Sequence, residues 1–193
     1  MRIRASQIPG ICSAFMWTLI VLMTVSCLSV VRAADDDIFI QQQIDVRGII
    51  LGTREADFNG DSLIDLAVFA ADASGNRILS TYIQREAGRF PPGPSQTFML
   101  SPSANVVQCL DLDGDDAAEV YVMDRDGLWR YRFEDGHFKE EPVHVIAAPT
   151  IFGGGIENGL LPEKCFRTVS GRPAVFLPDY TGFAVWTYAD GKF

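Results

Sequence analysis

The sequence predicts an all-β chain of β-propeller type, built from blades of four antiparallel strands, with about three blades present and the propeller therefore incomplete. Three observations predict it. Two acidic loops recur 54 residues apart, each runs directly into a short apolar segment, and a Gly-x-Phe signature closes each of three units.

The first unit covers about residues 45–100. Its loop, Asp57-Phe58-Asn59-Gly60-Asp61 to Asp65, leads into Leu66-Ala67-Val68-Phe69, which has the length and composition of a buried strand. Ile78-Leu79-Ser80-Thr81-Tyr82 then mixes apolar and polar residues and is expected to be a half-buried strand, and Gly88-Arg89-Phe90 closes the unit. The second unit, about residues 101–148, repeats this order. Asp111-Leu112-Asp113-Gly114-Asp115 to Glu119 precedes Val120-Tyr121-Val122-Met123, then the aromatic strand Leu128-Trp129-Arg130-Tyr131, and Gly136-His137-Phe138 behind Glu134-Asp135.

The third unit, about residues 156–193, keeps the strands Ala174 to Leu177 and Phe183 to Tyr188 and the closing Gly191-Lys192-Phe193. Where the acidic loop belongs it reads Arg167-Thr168-Val169-Ser170-Gly171, so the ligands are lost. Asp135-Gly136 and Asp190-Gly191 predict hairpin turns. Pro91-Pro92-Gly93-Pro94 and Gly153-Gly154-Gly155 fall in connections, and a further strand is predicted around Ile38 to Ile44. A stacked β-sandwich is the alternative architecture. Against it stands the recurrence of the acidic loops at the same place in two of the three units.

Residues 1–34 read differently from the repeat region, 35–193. Arg2 and Arg4 precede an apolar run from Ile11 to Val31, and Ala33-Ala34 stands before Asp35-Asp36-Asp37, the layout of an export signal. Cleavage near Ala33 or Ala34 releases a secreted, periplasmic or cell-surface protein. The run is also long enough to remain as a membrane anchor, and Cys27, in a partial lipobox, offers lipidation as a third route. Only an uncleaved or lipidated leader would bring the chain to a membrane.

The 193 residues are 48% hydrophobic, enough for one ordinary domain with a real core. The formal charge of −9 becomes more negative once Arg2, Arg4 and Arg32 leave with the leader. Such a surface argues against nucleic-acid or anionic-membrane binding and suits cations or basic partners. Cys109 and Cys165 follow the leader in an oxidising compartment; one bridge between blades and two separate buried thiols are both open. No Cys-x-x-Cys spacing, Gly-x-Ser-x-Gly elbow, phosphate loop or dinucleotide fingerprint is present. His137 and His144 are expected at the surface. Trp129 and Trp186, like Tyr131 and Tyr188, are expected to pack between blades.

The acidic loops carry the chemistry. Calcium takes six to eight oxygen ligands at about 2.3 to 2.6 Å, and alternate residues of a tight loop converge on one point. Asp57, Asn59, Asp61 and Asp65 stand at positions 1, 3, 5 and 9 of the first loop, with the backbone carbonyl of Leu63 at position 7. Asp111, Asp113, Asp115 and Glu119 hold the same places in the second, with the carbonyl of Ala117. Carboxylates so crowded repel one another without a cation. Zinc or copper would want imidazole or thiolate, and neither loop has His or Cys. An EF-hand is excluded because its twelfth position would be Val68 or Val122, inside predicted strands. The plain alternative is a pair of turns whose acids face water.

These residues resemble the FG-GAP or VCBS-type repeats, whose β-propeller is also that of the integrin α-chain head. The resemblance runs from about Arg47 to Phe193. It implies that the loop Asp-x-Asn/Asp-x-Asp-Gly-x-x-Asp binds calcium between two blade strands, which carries onto Asp57, Asn59, Asp61 and Asp65 and onto Asp111, Asp113, Asp115 and Glu119. Position 6 departs from the family's glycine, being Ser62 in one loop and Asp116 in the other, and Glu119 replaces Asp at position 9. The expectation is a calcium-binding, non-catalytic module with about two calcium sites, meeting a protein or glycan partner that the residues do not identify. The alternative is the propeller part of a polysaccharide-acting enzyme whose catalytic residues lie outside this chain.

Overall fold

A computed structural model describes residues 41–152 and 165–193, and among them every regular element is a β-strand. The predicted leader with Cys27, the part of the predicted Ile38 to Ile44 strand that precedes Gln41, and the Gly153-Gly154-Gly155 connection lie outside the described residues.

β1 (Ile49–Ala56), β2 (Asp65–Ala71), β3 (Arg77–Tyr82) and β4 (Gln96–Met99) form the first antiparallel sheet, in the order β1-β2-β3-β4. β5 (Val106–Leu110), β6 (Glu119–Asp124), β7 (Gly127–Tyr131) and β10 (Val143–Ala147) form the second. Between β7 and β10 the chain makes a small hairpin of β8 (Phe133–Glu134) and β9 (His137–Phe138). β11 (Phe166–Val169), β12 (Arg172–Asp179) and β13 (Gly182–Thr187) form a third, three-stranded sheet. The sheets are propeller-like blades. Among the described residues they close no ring.

Turn chemistry sets the register. Asp135-Gly136 and Asp190-Gly191 both take positive φ at each position, 53° and 83° and then 52° and 78°, the conformation of a two-residue hairpin turn. Ser170-Gly171 does the same at 52° and 77° and joins β11 directly to β12, which explains why the third unit has no room for an acidic loop. An acid also opens the second hairpin of every unit. The Asp72 carboxylate accepts the N–H groups of Ser74 and Asn76, both at 2.8 Å; Asp124 accepts that of Asp126 at 2.9 Å; Asp179 accepts those of Thr181 at 2.6 Å and Gly182 at 2.8 Å. Each carboxylate satisfies turn donors that no strand partner can reach.

Two cores hold the blades together, and the second sheet belongs to both. Alternate residues of its strands point to opposite faces. Val107, Cys109, Val120 and Val122 share one core with Ala67, Phe69, Leu79 and Phe98 of the first sheet, closed by Phe58 and Phe138. Val106, Tyr121, Met123 and Leu128 share the other with Cys165, Val175 and Leu177. Burying each large side chain contributes about 1.5 to 3 kcal/mol. The bridge considered between Cys109 and Cys165 is therefore not made: the thiols are free, buried, and in different cores. β3, expected to be half-buried, is buried along its whole length, so both faces of the strand are covered; Ser80 is satisfied by the Thr97 hydroxyl at 3.0 Å.

A glutamine ties successive units. Gln96 on β4 accepts the Phe138 N–H at 2.7 Å and donates its side-chain N–H to the Phe138 carbonyl at 2.8 Å. Gln42 holds Phe90 in the same two-sided way, accepting its N–H at 2.9 Å and donating to its carbonyl. The phenylalanines of the first two Gly-x-Phe signatures are thus each clamped by a glutamine lying over 40 residues upstream. Residues 41–44 form no strand, contrary to expectation, although Gln42 makes the contact that a fourth-strand glutamine makes in the next unit.

Candidate metal centre

Each acidic loop joins the first two strands of its sheet, β1 to β2 and β5 to β6. The first carboxylate folds the loop around itself. Asp57 Oδ1 accepts the N–H groups of Asn59 (3.2 Å), Gly60 (2.7 Å) and Asp61 (3.3 Å), and Oδ2 accepts that of Ser62 at 2.6 Å. Asp111 repeats the pattern on Gly114 at 2.7 Å and Asp116 at 3.2 Å. The position-5 acids also match: Asp61 accepts the Leu63 N–H at 2.8 Å, and Asp115 accepts that of Ala117 at 3.1 Å.

Such a curl needs left-handed backbone at positions 4 and 6. Gly60 and Gly114 supply it at φ of 74° and 78°, and Ser62 and Asp116 adopt it without glycine's freedom, at 65° and 68°. Ser62 and Asp116 therefore occupy the conformation that glycine would hold most readily. The two loops also touch across the blades, with the Ala118 N–H donating to the Asp57 carbonyl at 2.6 Å.

In the second loop the carboxylates of Asp111, Asp113 and Asp115, all exposed, bring one oxygen each within 4.8 Å of one another. In the first, Asn59 sits between the acids, donating to Asp61 at 2.9 Å and accepting the Asp61 N–H at 3.1 Å. Leu63 and Ala117 follow at position 7, half-buried in both loops. The donor set is oxygen throughout, and it fits a hard cation such as calcium.

Position 9 behaves differently in both loops. Asp65 is fully buried, and its oxygens accept the N–H groups of Phe58 at 3.0 Å and Gln84 at 2.8 Å. Burial pushes its pKa above the usual carboxylate value; the bonds from Phe58 and Gln84 oppose the rise, and the charges of Asp61 and Asp57 add to it. Glu119 is also buried. Its Oε2 accepts the Tyr121 hydroxyl at 2.9 Å, and its Oε1 receives Arg132 at 3.0 Å and Arg130 at 3.4 Å. Arg132 reaches on to Asp113, so one guanidinium joins the loop to the strand behind it. Burial alone would lower the pKa of Arg132, but its bond to Glu119 and the charges of Glu119, Asp113 and Asp115 outweigh that and hold it raised. Arg132 also lines a cleft of about 80 Å³ beside the loop, with Asp115 and Glu119.

Gln84, Tyr121, Arg130 and Arg132 are the partners that sequence reasoning missed. The two arginines flanking Tyr131 in an acidic chain were the available signal. His137 and His144 are exposed as expected, and His144 stacks on Trp129 with ring centroids 3.8 Å apart. Residues 57–122, which span both acidic loops, match the family model of an FG-GAP-like repeat. No curated protein and no solved structure matches the chain.

Proposed function

Taking the chain as an FG-GAP-type repeat protein, we propose that it is an extracytoplasmic, non-catalytic interaction module stiffened by two calcium ions. The observation that carries this reading is the convergence of Asp111, Asp113 and Asp115 oxygens in a loop whose fold is repeated at Asp57, Asn59 and Asp61. Calcium at each loop offsets the repulsion among its acids and locks the turn between two blade strands. The ligands at positions 1, 3 and 5 come from side chains, and Leu63 or Ala117 supplies a backbone carbonyl. Asp65 and Glu119 at position 9 contribute one oxygen while keeping their structural bonds.

Calcium modules outside the cell commonly work at about 10⁻⁴ to 10⁻³ M affinity, a range the exported compartment supplies. Export rests on the leader read in residues 1–34, and the partner class remains a protein or glycan meeting the loops at the blade edges. The test is thermal unfolding of the purified chain with calcium and with chelator. Calcium raises the melting temperature, and the rise shrinks in Asp57→Ala and Asp111→Ala. Identical melting curves with and without calcium would remove the metal from the account.

A further inference from the structure

The two loops are alike in backbone and unlike in what stands behind them. Antiparallel pairing places Leu66 opposite Tyr82 and Val120 opposite Tyr131, so Ile83 in the first unit and Arg132 in the second follow equivalent tyrosines. The first loop is thus backed by an isoleucine, and among the described residues no ion pair reaches Asp57, Asp61 or Asp65. In the second loop Arg132 donates Nε to Glu119 at 3.0 Å and a terminal nitrogen to Asp113, one of the three converging acids. Arg130, only 16% exposed at its side chain, adds a second positive charge at Glu119, 3.4 Å away.

We propose that Arg132 is a built-in counter-cation of the second loop, which competes with calcium for Asp113 and makes this the weaker, later-filling site of the two. The inference rests on the calcium reading above. A divalent ion that draws on Asp113 Oδ2 must displace the guanidinium held there, and Arg132, still tied to Glu119, keeps a positive charge beside that ion. Charge-assisted hydrogen bonds of this kind are strong enough to shift an equilibrium by about tenfold or more. The first loop carries no such competitor at Ile83. Arg132 has the opposite effect when calcium is absent, since it neutralises Asp113 and Glu119 and holds the empty loop against β7. A single residue thereby lets the second loop stay folded without metal and answer to calcium at higher concentration than the first.

The experiment is calcium titration calorimetry on the full chain in two backgrounds. Asp57→Ala leaves the second loop to be read alone, and Asp111→Ala leaves the first. Adding Arg132→Gln to Asp57→Ala is expected to tighten calcium binding about tenfold while lowering the calcium-free melting temperature. Adding it to Asp111→Ala leaves calcium affinity unchanged. Arg132→Lys, which keeps the charge and loses the two-pronged contact, gives an intermediate gain and serves if the glutamine variant does not fold. Unchanged affinity of the second loop in both Arg132 variants, or an equal gain at the first loop, overturns the competition. Absence of calcium binding in every protein, the parent included, overturns the calcium reading itself, a different result from a titratable second loop indifferent to Arg132.

Discussion

Truncating Phe138 to alanine tests how the first two blades are joined. The ring has no exposed surface and lies in the core between the sheets, with Phe58 and Phe133 each edge-on at 5.2 Å and Phe98 at 6.2 Å. Its backbone is held by both ends of the Gln96 amide. Removing a fully buried phenylalanine costs about 3 to 5 kcal/mol, counting lost transfer energy and the cavity left behind. The rings here come from the loop, β4, β8 and β9, which are anchored separately, so collapse around the gap is limited and the upper half of that range applies, about 4 kcal/mol. Against a typical stability of about 5 to 15 kcal/mol, that is a large share. Urea unfolding followed by tryptophan fluorescence should show the midpoint falling by about 2 M at an unchanged slope of about 2 kcal/mol/M. A loss below about 1.5 kcal/mol would refute the reasoning, because it would mean that the ring does not wedge the two sheets together.

Three further outcomes follow from the same structure. Ser62→Gly relieves a left-handed serine at φ 65° and is expected to stabilise the calcium-free protein by about 0.5 to 1 kcal/mol in the same unfolding assay, net of glycine's greater unfolded-state entropy. Cys109 and Cys165 should resist thiol reagents in the native protein and react in denaturant, since both are free and buried; burial pushes the Cys109 thiol up to about 12, with Arg54 pulling weakly the other way. Asp72 and Asp179 titrate below the ordinary carboxylate value because turn hydrogen bonds, first from the Asn76 and Thr181 side chains, favour their charged forms. Their stabilisation is therefore complete above the unfolded-state value near 3.8 and is lost as pH falls through the lower folded values, so Asp72→Asn should flatten the acid limb of the stability profile.

Much of the fold was legible because strand signals in this chain are short, apolar and bounded by strong turns. Leu66 to Phe69 and Val120 to Met123 lie within β2 and β6, and Asp135-Gly136 and Asp190-Gly191 make the turns their sequence implies. The place of the acidic loops was legible too, since each stands directly ahead of an apolar run and joins the first two strands of its sheet. What was hidden depends on which faces meet. Nothing in the spacing of Cys109 and Cys165 says that the second sheet stands between their two cores. Ser80 and Thr81 are polar in sequence, yet they point to opposite faces of β3 and both are buried. Gln96 reads as an ordinary polar strand residue, yet it clamps a backbone 42 residues away. Arg132 reads as a surface charge, and only strand pairing brings it behind Asp113 and Glu119.

The most direct test of the account is a crystal structure of the chain grown in calcium, with anomalous scattering used to locate the ions. Two calcium ions are expected, one among Asp57, Asn59, Asp61, the Leu63 carbonyl and Asp65, the other among Asp111, Asp113, Asp115, the Ala117 carbonyl and Glu119, with oxygen distances of about 2.3 to 2.6 Å. Arg132 should be released from Asp113 wherever the second ion is bound. Well-ordered loops that carry water alone at saturating calcium would contradict the central claim.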